Sequence, residues 1–132
     1  MAKMAARATN VGHTLMCAQV RGHSIFTDLP EELGGTDTAA LPPESLLAAL
    51  GNCIGMVVTL ACNENEIECL GLTVDVEAQP DDERKQLDNF RVTITMPGDL
   101  DDAARAVVEG AFEESKVLGT VLGGADVEVT VA

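Results

Sequence analysis

The sequence predicts a mixed α+β fold on three observations: one long helix with no charge from Leu46 to Cys62, two segments of alternating apolar and polar residues after it, and a second amphipathic helix leading to an alternating C-terminal stretch. Residues 11 to 28 read as a β-hairpin. Leu15 and Cys17 alternate with polar neighbours, Gly22 turns the chain, and Ile25 and Phe26 return. The prolines, paired glycines and Thr/Asp content of LPEELGGTDTAALPP then mark an ordered surface loop, long enough to line a site.

The helix is expected from Pro43 to Asn63, with proline suited to the first helical position and Glu44 favourable in the first turn. Leu46, Leu47, Leu50, Ile54, Met56, Val57, Val58 and Leu60 point in nearly every direction around it, the pattern of a helix buried on all sides. Gly51 and Gly55 form a G-x-x-x-G step that admits a close backbone, either within one subunit or across a dimer. The uncharged stretch is at the lower limit for a membrane span, has Asn52 near its centre and is flanked by Glu44 and Glu64 with no cationic anchor, so a water-soluble protein is expected.

In LTVDVEA, Leu72, Val74, Val76 and Ala78 share one face, and in FRVTITM, Phe90, Val92, Ile94 and Met96 do the same; a polar connection makes the two a hairpin. The second helix is expected to be capped by Asp99, to carry Asp102 in its first turn, to run through Leu118 and to stop at Gly119. Val127, Val129 and Val131 form the inward face of a last strand. The predicted order is ββαββαβ, one domain over residues 1–132.

Of the 132 residues, 46% are apolar but only three are Phe and none is Tyr or Trp, so Val, Leu, Ala and Ile must fill the core. A core of that kind is enlarged by burial against a second copy, which makes an oligomer the natural expectation. The 22 acidic residues outnumber 8 basic ones and give a formal charge of −14, which excludes nucleic acid and an anionic membrane surface as partners. MAKMAARATN has cations but no apolar run behind them, so a cytoplasmic location is expected.

Cys17, Cys53, Cys62 and Cys69 include no C-x-x-C pair, so no zinc site, and no other metal or cofactor, is expected. No nucleophile elbow, P-loop or dinucleotide fingerprint occurs either. Cys53, beside Asn52 in the middle of the long helix, is the candidate nucleophile; its competing role is that of a small apolar core residue. Cys62, nine residues on, falls on the opposite side of the helix and about 13 Å along it, so the two cannot bond while the helix stands. Cys17 or Cys69 could approach only through tertiary folding. A reactive thiol needs a nearby cation, and Arg7 and Arg21, flanking the first hairpin, are the arginines before the helix; His13 and His23 could add hydrogen bonds.

The segment L-P-P-E-S-L-L-A-A-L-G-N-C, Leu41 to Cys53, resembles the central-helix motif of the OsmC/Ohr family, in which a Pro-Glu pair opens a long helix and a cysteine follows about nine residues after the glutamate. Gly34-Gly35, HSIFTD and GLTVDVE are similar too, and the element order extends the resemblance across nearly the whole chain. It implies an intertwined homodimer with two buried central helices, active sites at the subunit boundary, and peroxiredoxin-like reduction of hydroperoxides under oxidative stress, with a dithiol as reductant. Cys53 matches the attacking cysteine, and Glu44 the carboxylate that holds an activating arginine, for which Arg21 or Arg7 is the candidate here. Where the family has a second cysteine late in the second helix, this chain reads E-S-K-V-L, so Ser115 stands in place of the resolving sulfur and an external thiol, Cys17 or Cys69 must complete the cycle. The alternative function is that of a non-catalytic dimer that holds a small apolar ligand at the subunit interface.

Overall fold

The computed structural model describes residues 2–132 and divides into two compact units that meet in the sequence at Leu46/Leu47. The first holds a three-stranded antiparallel meander of β1 (Arg7–Gly12), β2 (Leu15–Val20) and β3 (His23–Thr27). The expected hairpin is its second half. Val20 pairs with His23, so Arg21 and Gly22 form a two-residue turn, and their φ values of 49° and 85° are those that suit the twist of a tight hairpin. Strand β1 was not expected, because RATNVG is exposed throughout and carries no alternation. It is held by its ladder to β2, with Thr9 opposite Cys17, and by Asn10, which accepts from the Gly12 amide (3.0 Å) and donates to the His13 carbonyl (2.8 Å).

The loop after β3 is organised by one buried carboxylate. Asp28, 2% exposed, accepts from the hydroxyls of Thr14 (2.6 Å) and Thr36 (2.8 Å) and from the amides of Leu29 (2.8 Å), Thr38 (3.0 Å) and Thr36 (3.3 Å). These bonds, led by those of Thr14 and Thr38, outweigh the opposing effect of burial and hold the Asp28 carboxyl well below the usual carboxylate range. Gly35 is required in the same loop, since a Cβ there would run into the Leu29 backbone. Replacement of Asp28 by Asn is expected to lower the melting temperature by several degrees at neutral pH, because donors aimed at two carboxylate oxygens would then face an amide group. The sign of the pH effect follows from the lowered value. The contribution is complete above the unfolded-state pKa of about 3.9 and is lost as pH falls through the folded one, so only the parent protein should lose this increment of stability on acidification. Thermal melts of both proteins across the acid range check this.

Helix α1 runs from Pro42 to Glu64, one residue longer at each end than expected. Glu44 reaches back to accept from the Leu41 amide (2.9 Å), the reciprocal half of a capping box, at the start of a helix whose first two residues are prolines. From Leu47 on, α1 belongs to the second unit, where Leu50, Ile54, Val58 and Cys62 form a buried stripe at four-residue spacing. Complete burial of a Leu, Ile or Val side chain contributes about 1.5–3 kcal/mol.

The stripe packs on the hairpin of β4 (Thr73–Asp81) and β5 (Gln86–Thr95), which pair as predicted, with Val74 opposite Ile94 and Val76 opposite Val92. The glycine step lies over β4: a Cβ at Gly51 would press on Val76 at 3.3 Å and one at Gly55 would touch Val74 at 3.5 Å. The step therefore serves packing of helix on strand within the chain. Within the single chain the burial expected on all sides is on one side only. One hairpin covers one helix face, and Met56 and Leu60 remain 57% and 56% exposed.

The expected second helix is two helices. Helix α2 (Asp102–Ala111) is capped by Asp101, which accepts from the Ala104 amide (2.8 Å), and not by Asp99. A 3-10 turn over Phe112–Glu114 follows, then Ser115 in extended conformation, then α3 (Lys116–Gly123), which passes Gly119 and ends at Gly124 in the left-handed region. Val108 and Ala111 bring α2 into the core. The last expected strand is absent: residues 125–132 pair with nothing among the described residues, and Val127, Val129 and Val131 are exposed, because an alternating segment becomes a strand only beside an edge that accepts its hydrogen bonds.

Candidate functional site: a cysteine facing a helix N-terminus

Cys53 lies at the start of the fourth turn of α1, partly buried, and faces the break between the 3-10 turn and α3. The local sequence makes that break. Ser115 ends the 3-10 turn, and its hydroxyl oxygen accepts from the Leu118 amide (3.1 Å), an N-cap that starts α3 in a new direction. Ser115 is 2% exposed, and both its cap bond and its contact with the cysteine are made away from water.

The Cys53 thiol is held below its ordinary pKa. The largest cause is the Ser115 hydroxyl, which donates to the sulfur; the Val117 amide comes next, burial opposes, and the Lys116 amide and ammonium charge add to the lowering. The first amides of a helix have no partner inside it and carry its positive end, so a thiolate is favoured there. One hydroxyl, two backbone amides and one lysine charge thus favour the thiolate form of Cys53.

Sequence reasoning sought an arginine and passed over Lys116. A signal was present: serine followed by Lys-Val-Leu reads as an N-cap before an apolar turn once the second helix is allowed to break. The other candidates lie in the first unit or at its edge. Arg21 forms the β2–β3 turn, Arg7 opens β1, His13 sits in the β1–β2 turn and Cys17 is in the middle of β2. The carboxylate of Glu44 is engaged by the Leu41 amide. Ion pairs among the described residues are Arg84–Asp88, Arg91–Glu77 and Arg105–Glu109, so Arg21 and Glu44 are not paired with each other in the single chain. All three pairs are exposed and add little to stability.

A groove of ≈ 730 Å³ runs along another side of α1, between it and β4, lined by Leu47, Gly51, Asn52, Met56, Leu60 and Val76 among others. Cys53 does not line it. The helix itself is long and apolar enough to cross a membrane, with hydropathy 1.9, yet it carries the central core stripe of the second unit.

The chain is thus an α+β protein with a cysteine on its long core helix facing the start of a later helix. This chain belongs to the OsmC-like protein family, whose model matches residues 35–130. It is similar to an osmotic-stress-induced and detoxification response protein of Psychrobacter arcticus, at 20% identity and TM-score 0.80, over 91% of this chain and 89% of that one. The OsmC-like protein of Mycoplasma pneumoniae is similar at 19% identity and TM-score 0.72 over 92% and 89% of the two chains. The organic hydroperoxide resistance protein OhrB of Bacillus subtilis is similar at 19% identity and TM-score 0.61, over 92% and 93%. These likenesses establish the fold. No curated protein matches the sequence.

Proposed function

We propose that the protein is a thiol-dependent reductase of organic hydroperoxides that works through Cys53 in the cytosol. The observation that carries this reading is the place of Cys53 on the core helix, facing the Ser115 hydroxyl and the first amides of α3, which favour its thiolate. The thiolate attacks the outer peroxide oxygen, the O–O bond breaks, the alkoxide takes a proton to leave as alcohol, and Cys53 becomes a sulfenic acid. Ser115, at the position the family resemblance gives to a resolving cysteine, cannot form a disulfide. An external dithiol therefore condenses with the sulfenic acid, releasing water, and its second thiol displaces Cys53 as thiolate. Arg21 and Glu44 enter this reading as a cation and its anchoring carboxylate, brought to the site in the assembled protein. The membership in the OsmC-like family and the likeness to an organic hydroperoxide resistance protein support the substrate class.

The test is to expose the reduced protein to cumene hydroperoxide with a sulfenic-acid probe and to locate the adduct by mass spectrometry. Label at Cys53 is expected. An unlabelled Cys53, with peroxide unchanged in the presence of dithiol, sinks the enzymatic reading and leaves that of a dimeric protein that binds a small apolar ligand, for which the groove beside α1 is the favouring observation.

The reading includes a homodimer of one OsmC-like domain over residues 1–132. Among the described residues the first unit has no buried apolar side chain, α1 leaves Leu46, Met56 and Leu60 exposed, and three alternating valines near the C-terminus lack a neighbour. A second copy of the same chain is the covering surface that supplies all three. Leu60→Glu is expected to convert the dimer to a monomer, as measured by light scattering on the eluting protein, since an unpaired charge in a desolvated interface costs several kcal/mol. A parent protein that is monomeric at micromolar concentration overturns the dimer.

A further inference from the structure

A second pair of thiols lies at the far end of α1. Cys62 is the last member of the core stripe and is wholly buried; Cys69 is partly exposed and packs against the cluster to which Cys62 belongs. The chain between them folds back on itself. The amides of Asn65 and Ile67 both donate to the Cys62 carbonyl (3.1 and 2.9 Å), and Glu66 adopts a φ of 55°. The Cys69 sulfur lies 3.8 Å from the Asn63 side-chain oxygen, one residue beyond Cys62, and the Leu72 amide closes the next turn on the Cys69 carbonyl (3.0 Å).

The geometry points to Cys62 and Cys69 as a second redox site, in which a hydroperoxide oxidises Cys69 to a sulfenic acid and Cys62 condenses with it to an intrachain disulfide. In the first step the Cys69 sulfur takes one peroxide oxygen and the remaining alkoxide is protonated to an alcohol. In the second, the Cys62 sulfur displaces that oxygen as water, so two thiols and one hydroperoxide give one disulfide, one alcohol and one water. Exposure sets the order: the oxidant reaches Cys69, and the sealed Cys62 follows. Burial, and then the neighbouring Cys69, push the Cys62 thiol up, which keeps it neutral and unreactive until a sulfenic acid forms beside it. Glu64, Glu66 and Glu68 are exposed in the segment between the two cysteines, so neutral hydroperoxides approach it more readily than anionic thiols or disulfides do. The site does not depend on the chemistry of Cys53.

The sequence offers a clean readout. A glutamate-specific protease cuts after Glu64, Glu66 and Glu68, so Cys62 and Cys69 leave on separate pieces unless a disulfide joins them. The full-length Cys53→Ser protein, treated with one equivalent of cumene hydroperoxide, blocked with an alkylating agent and digested without reductant, is expected to yield the Ser45–Glu64 and Cys69–Glu77 pieces as one linked species. Adding dithiol before digestion should return them to separate alkylated pieces. Cys69→Ala in the same background, at a partly exposed position and checked for folding by circular dichroism, should abolish the linked species. Separate pieces after peroxide, with Cys69 unmodified or carried to sulfinic acid, overturn the proposal, as does a link between two chains seen as a covalent dimer on a non-reducing gel.

Discussion

Cys53→Ser, made in a Cys69→Ala background so that a second thiol cannot contribute, is expected to consume cumene hydroperoxide no faster than a protein-free solution that contains the same dithiol. A thiol facing the Ser115 hydroxyl, two helix amides and the Lys116 charge ionises below its ordinary range. A serine hydroxyl in the same surroundings stays protonated, and oxygen does not accept an oxygen atom from a peroxide as sulfur does. The substitution removes one polarizable atom from a partly buried position, so the fold should survive and the loss can be assigned to the sulfur. Equal consumption by Cys69→Ala with and without Cys53 would place the activity elsewhere.

Ser115→Ala is the second large expectation. It removes the leading cause of the lowered Cys53 pKa, so the pH at which Cys53 reacts half-maximally with an alkylating agent should rise. The sign is fixed by the direction of the shift. In the parent protein reactivity persists below the ordinary thiol range and is lost as pH falls through the lowered value; in the variant that loss begins at higher pH, and the rate at neutral pH falls several-fold. The same change removes the N-cap of α3, which costs about 1 kcal/mol. Ser115→Thr keeps both the hydroxyl and the cap, and should restore the parent pH profile together with the melting temperature. Rescue of stability without rescue of the profile would confine Ser115 to a structural part.

The long helix and the β4–β5 hairpin were legible in the sequence because their patterns are strong: an uncharged run behind a proline, and alternation kept over both strands. Local pattern failed where the deciding interaction is not local. Strand β1 depends on its ladder to β2, with no apolar face to betray it. The break at Ser115 was hidden by continuous apolar spacing from Leu100 to Leu118, although the serine side chain competes for a backbone amide and redirects the chain. The three C-terminal valines promised a strand, but pairing needs an edge that no hydropathy pattern supplies. For the site, Cys53 and the place of Ser115 were readable from the family resemblance; the charge from Lys116 and the helix amides was not, because it follows from the break in the second helix.

The double service of Ser115 ties the oxidation state of the sulfur to the integrity of everything downstream of it. While Cys53 is an anion, the start of α3 has a counter-charge as well as a cap; once the sulfur carries an adduct, that attraction is withdrawn and the residues after Ser115 are held more weakly.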